Sequence, residues 1–410
     1  MRPAVVLACH GAPGADLNMV RSLGEAGVPV IVVGEYEYPP SGYSRHCQEF
    51  ICARDFTVHP ERLLRVLREL RMRHGQALPV FPTADSDLRT LVSLHAALVG
   101  TALWVSPSPE MIDRLMDKRR FAELAAEMDL PVPATHAPAT LEEVEALSRA
   151  VDYPVVLKPV HASAWKRPGT PPEVAGRRAL FVETPDELMR LCCLIAPQGL
   201  DVLVQQHVAG PDDHHHSVHA CLSRAGRLQG VVTTRKWRTW PVRAGSGCHV
   251  ETVSEPELEA EAAAIVMRLR LRGMVVMNYK RDAATGRFML LEINPRFSGT
   301  GILVTRAGFN MPARVHADAC RREEMPAPSW RTGLRYLNAK PDLRAAMQMC
   351  RTGRLTWRAY LRSVLRPGLV YQALDLGDMG PPVQMTTDWV TSKVLGSGRW
   401  VRRRLGPSLV

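Results

Sequence analysis

Glu292, Asn294 and Arg296 stand at alternate positions of the stretch Leu290-Leu291-Glu292-Ile293-Asn294-Pro295-Arg296-Phe297. In an extended strand alternate side chains share a face. The three polar groups therefore project together, while Leu291 and Ile293 face a core. A carboxylate beside an amide oxygen suits a hard cation such as Mg²⁺. An adjacent guanidinium suits the phosphate oxygens that such a cation escorts. An edge strand with a solvated polar face has the same pattern, so the rest of the chain must decide.

The elements around this stretch begin as strand–helix units. Residues 4–8 read as a short apolar strand and His10-Gly11-Ala12-Pro13-Gly14 as a turn. A helix over 17–26 stops at Gly27, and a second strand covers 28–33. Pro60 opens a helix that places Leu63, Leu64, Leu67 and Leu70 on one face. A third strand at 78–81 and a helix over 88–98 follow. Repeated units of this kind imply a parallel sheet covered by helices. The Gly11/Gly14 turn lacks the full GxGxxG pattern, so scaffolding is preferred to a dinucleotide site.

Further on, Ser108 and Pro109 start a helix as N-cap and first helical residue. That helix is expected to carry Asp117-Lys118 and to end near Asp129. Pro131 and Pro133 punctuate the chain, and a helix covers 141–150. Val155-Val156-Leu157-Lys158 reads as a buried strand ending in a lone Lys. Thr184-Pro185-Asp186-Glu187 caps another helix. Val202-Leu203-Val204-Gln205-Gln206 is a strand that leads into Val208-Ala209-Gly210-Pro211-Asp212-Asp213. After a hairpin pattern and a helix over 255–270, strands at 275–280 and 288–294 are joined by a turn at 282–286.

Composition bounds the function class. A chain of 410 residues holds two or three domains, and 46% hydrophobic with 23% charged residues is ordinary for globular proteins. The formal charge of +11 favours anionic partners: nucleotides, carboxylates, nucleic acid or a lipid surface. Arginine is scattered, which favours a small anionic molecule over nucleic acid. The one dense cluster, 399–404 with Trp400 inside it, reads as a solvated tail able to touch an acidic surface. The first residues do not form a signal peptide, and no apolar run is long enough to span a bilayer. Nine cysteines without a CxxC pair point to free thiols in a reducing cytoplasm. No GxSxG elbow and no cysteine signature supports a covalent nucleophile.

The ordered set DK, VVLKP, LVQQHVAGPDD and LEINPRFSG resembles the ATP-grasp superfamily, most closely its carboxylate–amine ligase branch. The resemblance spans roughly residues 4–326. It implies that Lys158 and the earlier Lys118 contact nucleotide phosphates. It implies that Gln205, Gln206, His207 and Val208 form the hinge that receives adenine, with Asp212 or Asp213 on the ribose. Glu292 and Asn294 match metal ligands, and Arg296 matches the arginine that stabilises the transferring phosphoryl group or the acyl-phosphate. Lys158 and Arg296 are therefore the catalytic candidates. Phosphoryl transfer needs mainly positioning and charge neutralisation, which this set supplies.

Three departures stand out. Asn278 occupies the place of a further acidic or amide ligand, and it adds no negative charge to a metal site. Asp282 is an alternative, although its loop reads as a turn. The loop after Lys158, His161-Ala162-Ser163-Ala164-Trp165-Lys166, is poor in glycine where backbone amides usually cradle phosphate. The hinge carries Gln205-Gln206-His207 where acidic or lysine residues are frequent. His214, His215, His216 and His219 form no tetrahedral zinc set, because neighbours in a strand alternate sides. The basic, aromatic stretch around Arg235, Lys236 and Arg238, followed by Ser246, is expected to face acidic groups of substrate; single-stranded nucleic acid is the second reading.

The expectation is an α/β protein. A Rossmann-like domain fills 1–107, a two-lobed ATP-grasp unit 108–326, and a basic, partly helical extension 327–410. The reaction implied is ATP-dependent activation of a carboxylate as an acyl-phosphate and its capture by an amine, with Mg²⁺ or Mn²⁺ as the metal. Rivals are a nucleotide-binding regulatory or scaffold protein with a degenerate site, and a ligase with a hydroxyl or thiol acceptor. A homodimer and peripheral contact through the basic C-terminus are compatible with the sequence.

Overall fold

A computed structural model describes residues 1–9, 14–37, 39–160, 164–166, 169–243, 245–322 and 325–394. The turn at 10–13, the loop residues 161–163 and the cluster at 399–404 lie outside the described residues.

The chain begins with β1 (Ala4–Ala8), α1 (Ala15–Glu25), β2 (Val30–Gly34), β3 (Cys47–Cys52), α2 (Pro60–His74), β4 (Leu78–Phe81), α3 (Asp85–Ser93), α4 (His95–Leu98) and β5 (Ala102–Leu103). The strands form a parallel sheet in the order β3-β2-β1-β4-β5. β1 and β2 are buried on both faces, which is why they read as continuous apolar runs. Leu63, Leu67 and Leu70 of α2 pack under Val5, Leu7 and Val80.

Two short helices follow, α5 (Pro109–Met116) and α6 (Lys118–Glu127). The sequence led us to expect one helix through Asp117-Lys118. The structure breaks it there. Asp117 is the N-cap of α6, and its carboxylate accepts from the backbone N–H groups of Arg119 and Arg120 at 2.9 and 3.1 Å. A capping aspartate needs extended backbone, so it ends one helix to start another. The helix expected over 88–98 is also split, at Leu94, there without a side-chain cap.

A small lobe contains β6 (Thr135–His136), α7 (Leu141–Ala150), β7 (Val155–Pro159), β8 (Leu180–Val182), α8 (Pro185–Ile195) and β9 (Val202–Gln206). Its strands pair antiparallel in the order β6-β9-β7-β8, with α7 and α8 covering one face.

The large lobe comprises β10 (His215–Leu222), β11 (Leu228–Trp240), β12 (Ser246–Val253), α9 (Pro256–Arg268), β13 (Gly273–Arg281), β14 (Phe288–Asn294), α10 (Gly301–Ala307), α11 (Met311–Ala319), β15 (Arg335–Leu337), α12 (Ala339–Arg351), α13 (Trp357–Val364), β16 (Val370–Tyr371) and α14 (Gly380–Val394). Its sheet runs β14-β13-β10-β11-β12-β15-β16. The sheet therefore continues past residue 326, because β15 and β16 extend its edge. No helix among the described residues is long and apolar enough to cross a membrane. None of the nine cysteines forms a disulfide among the described residues.

The C-terminal segment returns to the first domain. Arg21 on α1 donates to the Asp378 carboxylate at 2.8 Å and to the carbonyls of Gln372, Ala373 and Asp378. Asp378 also accepts from Ser44 Oγ and Arg45 N, each at 2.8 Å. Gly380 then passes so close that a Cβ there would stand 1.9 Å from Tyr43 O. Only glycine fits that approach.

Candidate active site

Strand periodicity sorts the large sheet into two faces. Val218, Ala220, Val275, Met277, Tyr279, Leu290 and Ile293 turn toward α9 and the core. The intervening residues face the small lobe: Ser217 on β10, Lys236 on β11, Asn278 and Lys280 on β13, Glu292 and Asn294 on β14. The register places Ser217 opposite Asn278 and Asn278 opposite Glu292. A polar row results. Ser217 Oγ donates to Asn278 Oδ1 at 2.6 Å, and Asn278 Nδ2 donates to Glu292 Oε1 at 2.7 Å. Asn294 Nδ2 reaches the same Glu292 oxygen at 3.1 Å, and Lys236 Nζ donates to Asn278 Oδ1 at 3.2 Å.

The small lobe supplies the opposite wall. Val155 and Leu157 enter its core, so Lys158 turns to the cleft. Its Nζ donates to Gln205 Oε1 at 2.7 Å, and Gln205 Nε2 donates to Thr135 Oγ1 at 2.8 Å. Lys118 opens α6 and donates to the carbonyl of Pro159 at 2.6 Å. Lys280 crosses from the large sheet and donates to the carbonyl of Val208 at 2.7 Å.

Electrostatics confirm that these cations converge. Burial and the neighbouring Lys118 charge push the Lys158 ammonium down to about 8. Burial also lowers Lys118, Lys236 and Lys280. His215 sits well below its usual value because of burial and the charges of Lys236, Lys280 and Lys158. Glu292 is the carboxylate shared by Lys118, Lys158 and Lys236, with Asp117 and Asp201 also acting on Lys118 and Asp212 on Lys236. Desolvated cations that share few carboxylates make a cleft suited to a polyanion.

Lys280 was not singled out in the sequence, although its alternation with Asn278 is a readable signal. Arg178 carried no signal at all. It lies just before β8, donates to Ser246 Oγ at 3.2 Å across the cleft, and adds positive charge near Lys118 and Lys236.

The remaining expected residues are distributed as follows. Gln206 extends the hinge by donating its backbone N–H to Ala134 O at 2.8 Å, and the His207 ring packs edge-on to Phe181. Asp212 is buried, and its carboxylate accepts from Thr239 Oγ1 at 2.6 Å and from Arg243 N. Asp213 holds Arg235 at 2.6 Å, and that guanidinium stacks on Trp237. Arg238 departs from the expectation of a substrate-facing cation. It is 5% exposed, and its fork grips Asp342 at 2.7 and 2.9 Å. Bulges in β11 around Arg238 break the simple alternation that suggested otherwise. Arg296 leaves the sheet and donates to Asp85 Oδ1 at 2.6 Å, joining the site to the first residue of α3.

Asp282 is a turn residue, accepting from Ala284 N, Thr285 N and Ala209 N. The histidines do not share a centre: His214 Nδ1 lies 2.9 Å from Arg281 O, His216 packs on Phe288, and His219 reaches Thr234. Among the described residues no group of three or more His, Cys, Asp or Glu stands ready for a metal. Glu292 with Asn294 is a hard-oxygen pair that needs phosphate oxygens to complete a coordination shell, which is how Mg²⁺ is usually bound. The Asn278 oxygen expected to join them is already taken by Ser217 and Lys236.

Residues 201–340 match the family model described as ATP-grasp in the biosynthetic pathway with Ter operon. The chain is 26% identical over 222 residues to the N-terminal section of the carbamoyl phosphate synthase large chain of Methanopyrus kandleri. That match takes in 51% of this chain and 36% of the relative, so the chain spans about a third of the relative's length. Among solved structures it is similar to the biotin carboxylase domain of Hydrogenobacter thermophilus 2-oxoglutarate carboxylase, in complex with MgADP, ADP and bicarbonate. There the TM-score is 0.62 at 16% identity, covering 82% of this chain and 73% of that one. An ADP complex of N5-carboxyaminoimidazole ribonucleotide synthetase gives 0.60 at 15% identity, covering 82% and 80%. The L-amino acid ligase of Bacillus licheniformis gives 0.57 at 15%, covering 79% and 76%. Residues 201–340 thus match an ATP-grasp family model, and the parallel N-terminal sheet with its two lobes has the fold of these ATP-grasp, carboxylate–amine ligase-like structures.

Proposed function

We propose that the protein activates a carboxylate with ATP and passes it to an amine. The carboxylate oxygen attacks the γ-phosphorus, the β–γ bridging oxygen leaves with ADP, and an acyl-phosphate forms. The amine then attacks the acyl carbon, phosphate leaves, and the amine loses a proton as the amide forms. The observation that carries this reading is the convergence of Lys118, Lys158, Lys236 and Lys280 beside Glu292, with few opposing charges. The names of the relatives support the class, since one is an amino acid ligase and another a carbamoyl phosphate synthase.

The lysines hold the phosphates and neutralise charge that builds up during transfer. Gln206 and Val208 flank the adenine position. A ribose contact falls to Asp213 rather than to the buried Asp212. Glu292 and Asn294 would hold Mg²⁺, which supplies charge neutralisation between phosphates. Arg296 reaches acyl-phosphate oxygens by exchanging its Asp85 contact for them.

The engaged Asn278 oxygen favours a second reading, a nucleotide-binding protein without chemistry. Hydroxylamine trapping separates the two. With a panel of amino acids and small diacids, the wild type should yield hydroxamate and ADP. Arg296→Lys should bind ATP normally but form roughly a hundredfold less hydroxamate, because the planar fork is lost. Tight ATP binding with no hydroxamate from any carboxylate would favour the second reading.

A further inference from the structure

We propose that α12 and α13 form a docking face for an anionic lipid bilayer. Residues 343–374 contain Arg344, Arg351, Arg354, Arg358, Arg362 and Arg366 but no Asp or Glu. All six arginines are exposed, and none forms an ion pair among the described residues. Large apolar side chains lie among them in the open. Trp357 is 50% exposed, Leu361 48% and Leu365 77%, with Leu343 and Met347 at 45% and 39%.

The pattern is helical on both elements. Leu343 and Met347 are one turn apart on α12, as are Trp357 and Leu361 on α13, with Leu365 at its C-cap. Arg358 and Arg362 form the neighbouring row. Met347 and Trp357 meet across a groove of about 600 Å³ that Cys350, Leu355 and Thr356 also line. The inner faces are fixed. Arg238 grips Asp342 of α12, donates to Ser363 Oγ of α13 at 3.0 Å, and lies over the Tyr360 ring. The two helices are thus held rigidly on the sheet while their outer faces remain apolar and cationic.

That combination selects the partner. An interfacial helix buries Trp and Leu at the acyl boundary and presents Arg to anionic headgroups. Nucleic acid would use the arginines, but it has no use for four exposed aliphatic side chains beside one aromatic. A second copy of the chain would bring the same six arginines to face themselves.

The test is cosedimentation of the full chain with phosphatidylcholine vesicles, with and without phosphatidylglycerol. Binding should require phosphatidylglycerol and weaken with salt. Arg358→Gln with Arg362→Gln should weaken it roughly thirtyfold, and Trp357→Ser with Leu361→Ser at least tenfold. Arg358→Lys with Arg362→Lys should retain it. ADP release and melting temperature should be unchanged in these variants. Should the serine pair fail to fold, Leu361→Cys carrying a polarity-sensitive dye replaces it, and a blue shift on anionic vesicles supports the proposal. Equal affinity for both vesicles, no binding, or no dye shift overturns it. Undiminished binding by the glutamine pair also overturns it, moving the contact to another basic segment. Self-association abolished by the serine pair, or RNA binding that competes with vesicles, assigns the face to another partner.

Discussion

Arg21 and Arg238 are buried against carboxylates, at 1% and 5% exposure with Asp378 and Asp342 as partners. The lysines of the cleft, half-buried except for the buried Lys280, sit against neutral oxygens: an amide for Lys158 and Lys236, a main-chain carbonyl for Lys118 and Lys280. The first arrangement is complete. The second leaves charge in a desolvated place, answered without an ion pair among the described residues: Glu292 acts on Lys118, Lys158 and Lys236, and Asp212 and Asp282 on Lys280. A structural cation is matched within the fold, whereas a functional one is kept short of anions until a ligand arrives.

Substitution sharpens that contrast. Lys158→Met should cut ATP-dependent ADP formation by roughly 10²–10³-fold, since a phosphate contact is gone. The same change should leave the empty protein as stable as before or more so, because a buried charge has been removed. Activity assays and thermal melts on one sample test both halves. A large fall in melting temperature would make Lys158 a structural residue like Arg238.

The converse change is Asp342→Ala. It leaves a buried guanidinium unanswered and should cost about 3–5 kcal/mol of stability. Denaturant unfolding measures that loss. Nucleotide affinity of the folded protein should stay within about threefold, because Arg238 points away from the cleft.

A smaller effect follows from pH. In the empty protein Lys158 loses its proton near 8, whereas the unfolded chain holds it up to about 10.5. The folded state binds fewer protons across that window, so stability of the empty protein should rise between those values. ATP affinity should move the opposite way, weakening severalfold above pH 8 as the charge disappears. Calorimetry in buffers of different ionisation heat should show proton uptake on binding near pH 8. Binding without uptake would mean that Lys158 does not face the phosphates.

Much of the frame was legible in the sequence. The strands at β7 and β9 are apolar runs, and the caps Ser108 and Thr184 act as read. In β14 a bulge at Leu291 sends Leu290, not Leu291 as alternation predicted, into the core with Ile293. β3 was missed because Cys47–Cys52 is an edge strand with mixed exposure and no period. The break at Asp117 was missed because side-chain capping competes with helix continuity, and periodicity does not register that competition. Within the site, residue types were readable but their company was not. Lys158 meets Gln205 and Lys236 meets Asn278 through pairings that only the folded sheets create. The bulges that turn Arg238 inward likewise belong to the register of β11 on β12.

The return of the C-terminal segment bears on the order of assembly. Arg21 and Asp378 are 357 positions apart. During synthesis the parallel sheet emerges well before residues 372–378, and domains generally fold as they emerge. This one carries a guanidinium whose carboxylate and three carbonyl partners are all made near the end of the chain. The parallel-sheet domain is therefore not complete when it emerges, and its final consolidation is coupled to the arrival of residues 372–378.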